Sequence, residues 1–499
     1  VSRSLLAMVS GGSLQYRSRD PSKEQDMTVV IERTLHRLSE QLPGRVSTPG
    51  DGRYAAATAI WAKPVGRMPR AVVHCQTPED VQSAIRAARD SDLPLSVRGG
   101  GHDWAGRALC DGLVIDLTSM NRAVVDSDHR VARIPGGARA SDVVAVTDPL
   151  GVAPVAGTVG AVGLAGFTLG GGYGALIGRF GLALDNLLAA EVVLADGRVV
   201  LATHDTEEEL FWALRGGGGN FGVVTTMHCR LHELPSGRAG MLNYPFSEAK
   251  AILEHCVDLT ASMPEELTVQ LGCVIGPDDT PVVMVVPTWC GRPEEGEARV
   301  APLLELGTLL AGTLDVKPYG NSLTVFDPYL VNGRRTFMET CWLPALDSAG
   351  IAVFIEAMES APSAGCAIFT HEFRGAASRV PTEATAFGLR RDHVLIEILA
   401  SVIDQSDPLQ EHRHQEWARE TLQAFDAMAL PGGYANLLAG GDADRAAKSY
   451  GPNVERLIRT KKRYDTDNVF KSAIPLPVRS GQSATVPVGG NPAGGGKRR

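Results

Sequence analysis

The residues of this chain that invite chemistry sit beside glycine. Arg98-Gly99-Gly100-Gly101-His102 places an imidazole at the end of an apolar run, on backbone that carries almost no side-chain bulk. Main chain of that kind can approach a ligand closely, so a histidine at the end of it can meet one. A second glycine loop runs from Gly157 to Gly174. A polyanion can lie along its bare N–H groups, or the loop can serve to pack two sheets tightly together. A third run, Gly216 to Gly219, contains the one match to G-x-G-x-x-G, at Gly217, Gly219 and Gly222. The dinucleotide fingerprint needs a strand before it and a helix after it. Here the helical Glu208–Leu214 precedes and the strand-like 223–231 follows, so the motif is not read as one.

Other reactive side chains are less informative. Thr370-His371-Glu372-Phe373-Arg374 offers an acid and a base, which the polar face of a strand explains equally well. His228 and His232 have the spacing of a metal pair on a helix but lie in a strand-like run without a carboxylate, so no metal site is assigned. His412 and His414 read as solvated residues on a helix's polar face. The Gly-x-Ser-x-Gly elbow of hydrolases does not occur. With 499 residues the chain expects two or more domains, and 44% hydrophobic and 21% charged residues are those of a folded protein. A net charge of -9 gives no field for nucleic acid, and no apolar run approaches the roughly 18 residues that cross a bilayer. The expected partner is therefore a small molecule. Eight cysteines stand singly, without C-x-x-C pairs or Asn-x-Ser/Thr sequons, a pattern that points to reduced thiols and a cytoplasmic location.

These residues need elements to hold them. The run 71–75 reads as a strand, and Thr77-Pro78-Glu79-Asp80 as a capped helix start, with the helix continuing to Asp90. A strand over 93–97 then delivers the chain to His102. Leu234-Pro235-Ser236-Gly237 marks a domain boundary. Beyond it, 267–275 and 281–288 alternate around Gly276-Pro277-Asp278-Asp279 as a hairpin. Helices are expected over 247–263, 348–360 and 409–428, and a single helix over 442–462 leads to Arg463–Phe470. Residues 1–26 read as a disordered leader and 479–499, rich in Ser, Gly and Pro, as a disordered tail.

Taken in order, Pro94 to His102, Gly157 to Gly174, Gly181-Leu182-Ala183-Leu184-Asp185-Asn186, Leu210 to Thr225, Gly432-Gly433-Tyr434-Ala435-Asn436 and Arg463 to Phe470 resemble the FAD-linked oxidases typified by vanillyl-alcohol oxidase and p-cresol methylhydroxylase. Within them the chain is most similar to the berberine-bridge-enzyme-like branch. The resemblance implies an α+β fold: a two-subdomain FAD-binding domain over 27–236, a substrate domain over 237–440 whose helix-covered antiparallel sheet closes over the flavin ring, and a return to the first domain over 441–478. It implies that His102 bonds the flavin 8α-methyl group. Around it the expected cofactor contacts are Arg98, Gly99, Gly100, Gly101, Asp103, Gly157, Thr158, Gly160, Val162, Gly163, Gly166, Gly171, Gly172, Tyr173, Gly174, Asn186, Gly222, Val224 and Asn436.

Many members add a second link from a cysteine in a G-x-C-P pattern. Here Val159 and Gly160 stand at those places, so one covalent link is expected, and Cys110 is read as a small buried residue. In plant members the position of Val162 gates oxygen, and valine leaves access, so O2 is the expected acceptor. Tyr434 is by resemblance the base that takes the substrate proton. Its hydroxyl, with an ordinary pKa near 10, would need N–H donors or a cation such as Arg390 or Arg391. His371 and Glu372 are the alternatives. The rival functions are a dehydrogenase with another acceptor and a non-catalytic flavin carrier.

Overall fold

Ala71–His74 and Leu113–Asp116 are continuous apolar runs, as expected of strands covered on both faces, and they pair in parallel. Leu95–Arg98 adds in parallel on the far side of Leu113–Asp116, and Val46–Ser47 closes the other edge antiparallel. The crossover helix, Pro78–Asp90, starts at a capping box between Thr77 and Asp80 and buries Val81, Ala84, Ile85 and Ala88 against this sheet. The computed structural model describes residues 21–63, 66–276, 279–405, 407–438, 443–471, 473, 474 and 476. The expected tail, most of the expected leader and the tip of the 267–288 hairpin lie outside the described residues.

A second sheet is antiparallel, in the order Val124–Val125, Val131–Pro135, Val223–Arg230, Leu187–Val193, Val199–Ala202. Val193, Ala195 and Val223 share a core with the first sheet, so the two small sheets form one unit. The third sheet has eight strands and runs Leu314–Lys317, Gly237–Gly240, Pro281–Trp289, Leu267–Ile275, Cys366–Phe373, His393–Ser401, Thr336–Leu343, with Leu242–Pro245 pairing beside Pro281–Trp289. Helices Ala249–Thr260, Ser348–Glu359 and Pro408–Phe425 cover one face of it, burying Ile252, Phe354, Trp417 and Phe425 with Ile368, Ile396 and Ile398. Strand alternation sends Phe373 and Leu395 to the opposite face, into the core shared with the two small sheets.

Two local expectations are corrected. The helix expected over 442–462 is two, Ala443–Tyr450 and Val454–Tyr464, separated by a 3-10 turn at Gly451–Asn453, because Pro452 has no N–H to continue the ladder. His414 is not solvated: it is 1% exposed, and its ring lies between Ser363 Oγ, 2.7 Å, and the Gln410 carbonyl, 2.6 Å. His412, by contrast, is exposed and pairs with Glu416. Among the described residues no helix is long and apolar enough to cross a membrane.

Candidate active site

The strand Leu95–Arg98 ends where Arg98 turns back to pair with Asp116, 3.1 Å away, whose other oxygen meets His74 Nδ1 at 3.1 Å. This buried trio fixes the start of the glycine loop. Gly101 takes φ +77, the left-handed region, and its carbonyl accepts from Trp61 N. His102 then stands between two indoles, with ring centroids 4.5 Å from Trp61 and 5.6 Å from Trp104. Among the described residues neither of its ring nitrogens makes a hydrogen bond. Burial lowers its pKa to about 4, outweighing the opposing effect of Glu397 and reinforced by Arg139. At neutral pH the imidazole is uncharged, with a free lone pair. Asp103 bends its carboxylate back onto the N–H groups of Ala105, 3.0 Å, and Ala108, 2.7 Å, holding the loop open.

His102 faces an elongated cavity of about 350 Å³, the size of a cofactor or ligand site. Of the residues expected from sequence, Gly99, Gly100, Gly101, His102, Asp103, Gly157, Thr158, Val162, Gly163, Gly166, Tyr173, Gly222, Val224, Tyr434, Asn436 and His371 line it. Arg98, Gly160, Gly171, Gly172, Gly174, Asn186 and Glu372 do not. Gly171 and Gly172 pack behind the wall, where added Cβ atoms would meet Tyr434 at 3.0 Å and Ala183 at 2.4 Å. Gly174 would meet the Ala156 carbonyl at 1.9 Å. Asn186 donates to the Phe180 and Leu182 carbonyls and bonds His232, so it secures a turn. Cys110 is buried, as are the other seven cysteines, all of them free.

The opposite wall comes from the large sheet. His371 and Glu372 are neighbours on one strand, so they leave on opposite faces. His371 faces the cavity. Glu372 instead accepts from Val269 N at 3.3 Å and lies 3.5 Å from Arg374, and burial raises its pKa against those contacts. In the antiparallel register His371 stands opposite Leu395, which brings Glu397, two residues on and on the same face, within 3.3 Å of His371 Nε2. Tyr434 enters from the C-terminal segment. Its hydroxyl oxygen accepts from Gly172 N and from Asn436 Nδ2, both at 2.9 Å, yet burial pushes its pKa up to about 12. Arg390 does not assist it: that guanidinium is bound by Asp185, 2.8 Å, and Thr385. Behind Tyr434, the Tyr173 hydroxyl meets His393 Nε2 at 2.7 Å, while His393 Nδ1 faces the Arg391 carbonyl. Glu397, Trp61, Trp104 and Arg107 escaped sequence reasoning. Glu397 alone left a trace, sharing an alternating face with His393.

A cavity walled by glycine loops on one side and by an antiparallel sheet on the other defines a class, the FAD-linked oxidoreductases. Residues 69–203 match the FAD binding domain family and residues 432–477 the berberine and berberine-like family. (R)-6-hydroxynicotine oxidase of Paenarthrobacter nicotinovorans is 30% identical over 445 residues, spanning 86% of this chain and 96% of that protein. The crystal structure of 6-hydroxy-D-nicotine oxidase from Arthrobacter nicotinovorans superposes with a TM-score of 0.78 at 27% identity, covering 87% of this chain and 98% of that one. A glucooligosaccharide oxidase of Acremonium strictum, described with a 6-S-cysteinyl, 8α-N1-histidyl FAD, shares the fold at a TM-score of 0.75 and 23% identity, over 90% of this chain and 100% of that one. This chain belongs to the berberine-bridge-enzyme-like family of FAD-linked oxidoreductases.

The residues present fit FAD. Among the described residues the N–H groups of Gly100, Gly101, His102, Thr158 and Val159 have no protein acceptor. Gly100 is buried and the other four are half-buried, where backbone N–H groups are seldom left without an acceptor, so a ligand rich in acceptors is what this wall lacks. Gly166 has nothing within 4 Å of where a Cβ would stand, so the helix it belongs to presents bare backbone to the cavity.

Proposed function

We propose that this chain is an FAD-dependent oxidase that holds its flavin by one covalent bond from His102, oxidises a small organic substrate and passes the electrons to O2, giving H2O2. The observation that carries this reading is the state of His102: uncharged, free at both nitrogens and facing the cavity. A protonated imidazole has no lone pair with which to attack the 8α carbon, whereas a neutral one keeps a nitrogen free to do so. Val159 lines the same cavity and carries no thiol, so a second link has no donor there. The bound flavin supplies the acceptor for a hydride. Glu397 takes the substrate proton, because its carboxylate lines the cavity and is held 3.3 Å from His371 Nε2. Tyr434 orients the substrate: with two N–H donors on its oxygen, its own proton is left to point at the bound molecule. The same two donors would also steady a phenolate, and that is the observation favouring Tyr434 as the base. The substrate is an alcohol, sugar or related secondary metabolite, in keeping with relatives named for hydroxynicotine and glucooligosaccharide.

Acid precipitation tests the link. The pellet should stay yellow, with the flavin on the His102 peptide, and His102→Ala should release it. Flavin free in the supernatant, or attached to a cysteine, would defeat the proposal. Val162 lines the cavity as an oxygen-admitting valine, so the reduced enzyme should reoxidise rapidly in air and Val162→Leu slowly. Slow reoxidation of the unaltered protein would make it a dehydrogenase, and a bound flavin that no substrate bleaches would make it a carrier.

A further inference from the structure

Three cavities that share lining residues lie in series from the catalytic wall to the surface. Beyond His371 lies a chamber of about 20 Å³ whose lining includes Thr268, Gln270, Thr288 and Ser322. It shares Gly157, Thr158 and His371 with the main cavity. It shares Thr288 and Ser322 with a crevice of about 350 Å³ that opens among Thr313, Asp315, Lys317 and Asn321. A cavity needs roughly 10–15 Å³ and two to four polar partners to hold one water. The middle chamber has both.

The sheet explains how polar side chains come to line the chamber beside Val286 and Phe326. Thr268 and Thr288 stand directly opposite each other on neighbouring strands, and Gln270 follows Thr268 on the same face. Gln270 Nε2 reaches His371 Nε2 at 3.2 Å, and His371 meets Glu397. A row of hydrogen-bonding side chains therefore crosses four strands, where a sheet packed against another domain would otherwise be apolar. Backbone pairing between Leu267–Ile275 and Cys366–Phe373 covers Gly272–Val274; below it Thr370 and Glu372 bond the Leu271 and Val269 N–H groups with their side chains. This splay makes room for the chamber. Gln270 is 7% exposed and, among the described residues, its Oε1 has no partner, which leaves an acceptor at the chamber wall.

We infer that this passage is a proton route between the Glu397–His371 pair and solvent, with a water held among Gln270, Thr268 and Thr288. The inference rests on the proposed oxidation. Removing two hydrogens from a C–H/O–H pair sends a hydride to the flavin and a proton to the protein. When O2 takes the electron pair, that hydride and one proton leave as H2O2. Each reductive half therefore releases one proton at the wall and each oxidative half takes one up, with the flavin between that wall and the glycine loops.

Ferricyanide separates electrons from protons, because it accepts two electrons, one per ion, while one proton must leave the site unaided (FADH⁻ → FAD + H⁺ + 2 e⁻). Holoenzyme photoreduced with EDTA under argon is mixed with ferricyanide in weakly buffered phenol red, with flavin and dye followed together. In the unaltered protein the dye should keep step with the flavin. Thr288→Val keeps the shape and removes the hydroxyl, and Gln270→Met removes the acceptor at the other end. Each should leave flavin oxidation unchanged and delay proton release by roughly 10²-fold, the lower range of what a positioned proton-transfer group contributes. Added imidazole should shorten the delay. Dye and flavin in step in both variants, a lag already present in the unaltered protein, or a lag that imidazole leaves untouched would each overturn the inference. None of these needs oxygen, so slow reoxidation in air would fail the oxidase reading without deciding this one.

Discussion

Glu397 and Tyr434 share one cavity and compete for one role, and their surroundings separate them. Burial outweighs both N–H donors on the Tyr434 hydroxyl and pushes its pKa up to about 12, so it gives up its proton less readily than a free tyrosine. Glu397 offers a carboxylate to the same cavity, held against His371. Glu397→Gln should therefore slow flavin reduction by roughly 10²- to 10⁴-fold, the value of a general base. Tyr434→Phe should slow it by about tenfold, the worth of one hydrogen bond to the substrate. Anaerobic stopped-flow reduction with a bleaching substrate, at equal flavin content, measures both. The reverse ranking would return the base to Tyr434.

At the scale of the element, the glycines divide into those that let backbone meet backbone and those that leave room for a ligand. A Cβ on Gly100 would stand 2.5 Å from Gly163 Cα and 2.6 Å from its N, so two loops cross there with nothing flexible between them. Gly100→Ala should destabilise the fold by about 1–3 kcal/mol, as overpacking does, and lower the urea midpoint even without cofactor. A side chain on Gly166 would meet only the cavity. Gly166→Leu should leave the urea midpoint of the flavin-free protein level or slightly higher, since leucine favours a helix, while the flavin-to-protein absorbance ratio falls. Equal loading in Gly166→Leu would mean that FAD does not pass over that turn.

For the whole molecule, the question is what brings the C-terminal segment back to the first domain. Arg107 reaches across to the carbonyls of Ala435 and Leu438, next to Tyr434 and Asn436. Farther on, Lys461, 2% exposed, donates to the Asn220 carbonyl at 2.7 Å and the Phe470 carbonyl at 3.0 Å, and pairs with Asp465. Asp465 in turn accepts from Val469 N and Phe470 N. This clamp carries Phe470 and Ile474 into the cavity wall. Lys461→Met fills the space but leaves Asp465 buried without its cation, which should cost roughly 3–5 kcal/mol in urea unfolding. In a His102→Ala background, where no bond retains the flavin, the same change should speed FAD release. Unchanged release would confine the clamp to stability.

The amino-acid sequence by itself determined the glycine loops, the histidine at the end of one of them and the strand and helix runs around them, because each depends on residue type at short spacing; the FAD-binding class followed from the resemblance of these motifs, taken in order, to a known family. It also required that His371 and Glu372 part company, since adjacent residues on a strand face opposite ways. Which of the two meets the ligand depended on which face the other domain covers. Glu397 became a partner of His371 only through antiparallel register, 26 positions along the chain. Arg390 found Asp185, 205 positions away, in place of the tyrosine it was expected to serve. His414, polar by type, was buried because Ser363 from another element met its ring. Spacing specifies periodicity and local turns. Partners brought together across domains follow from packing, where the choice among competing contacts is made by burial and by which polar groups remain unsatisfied.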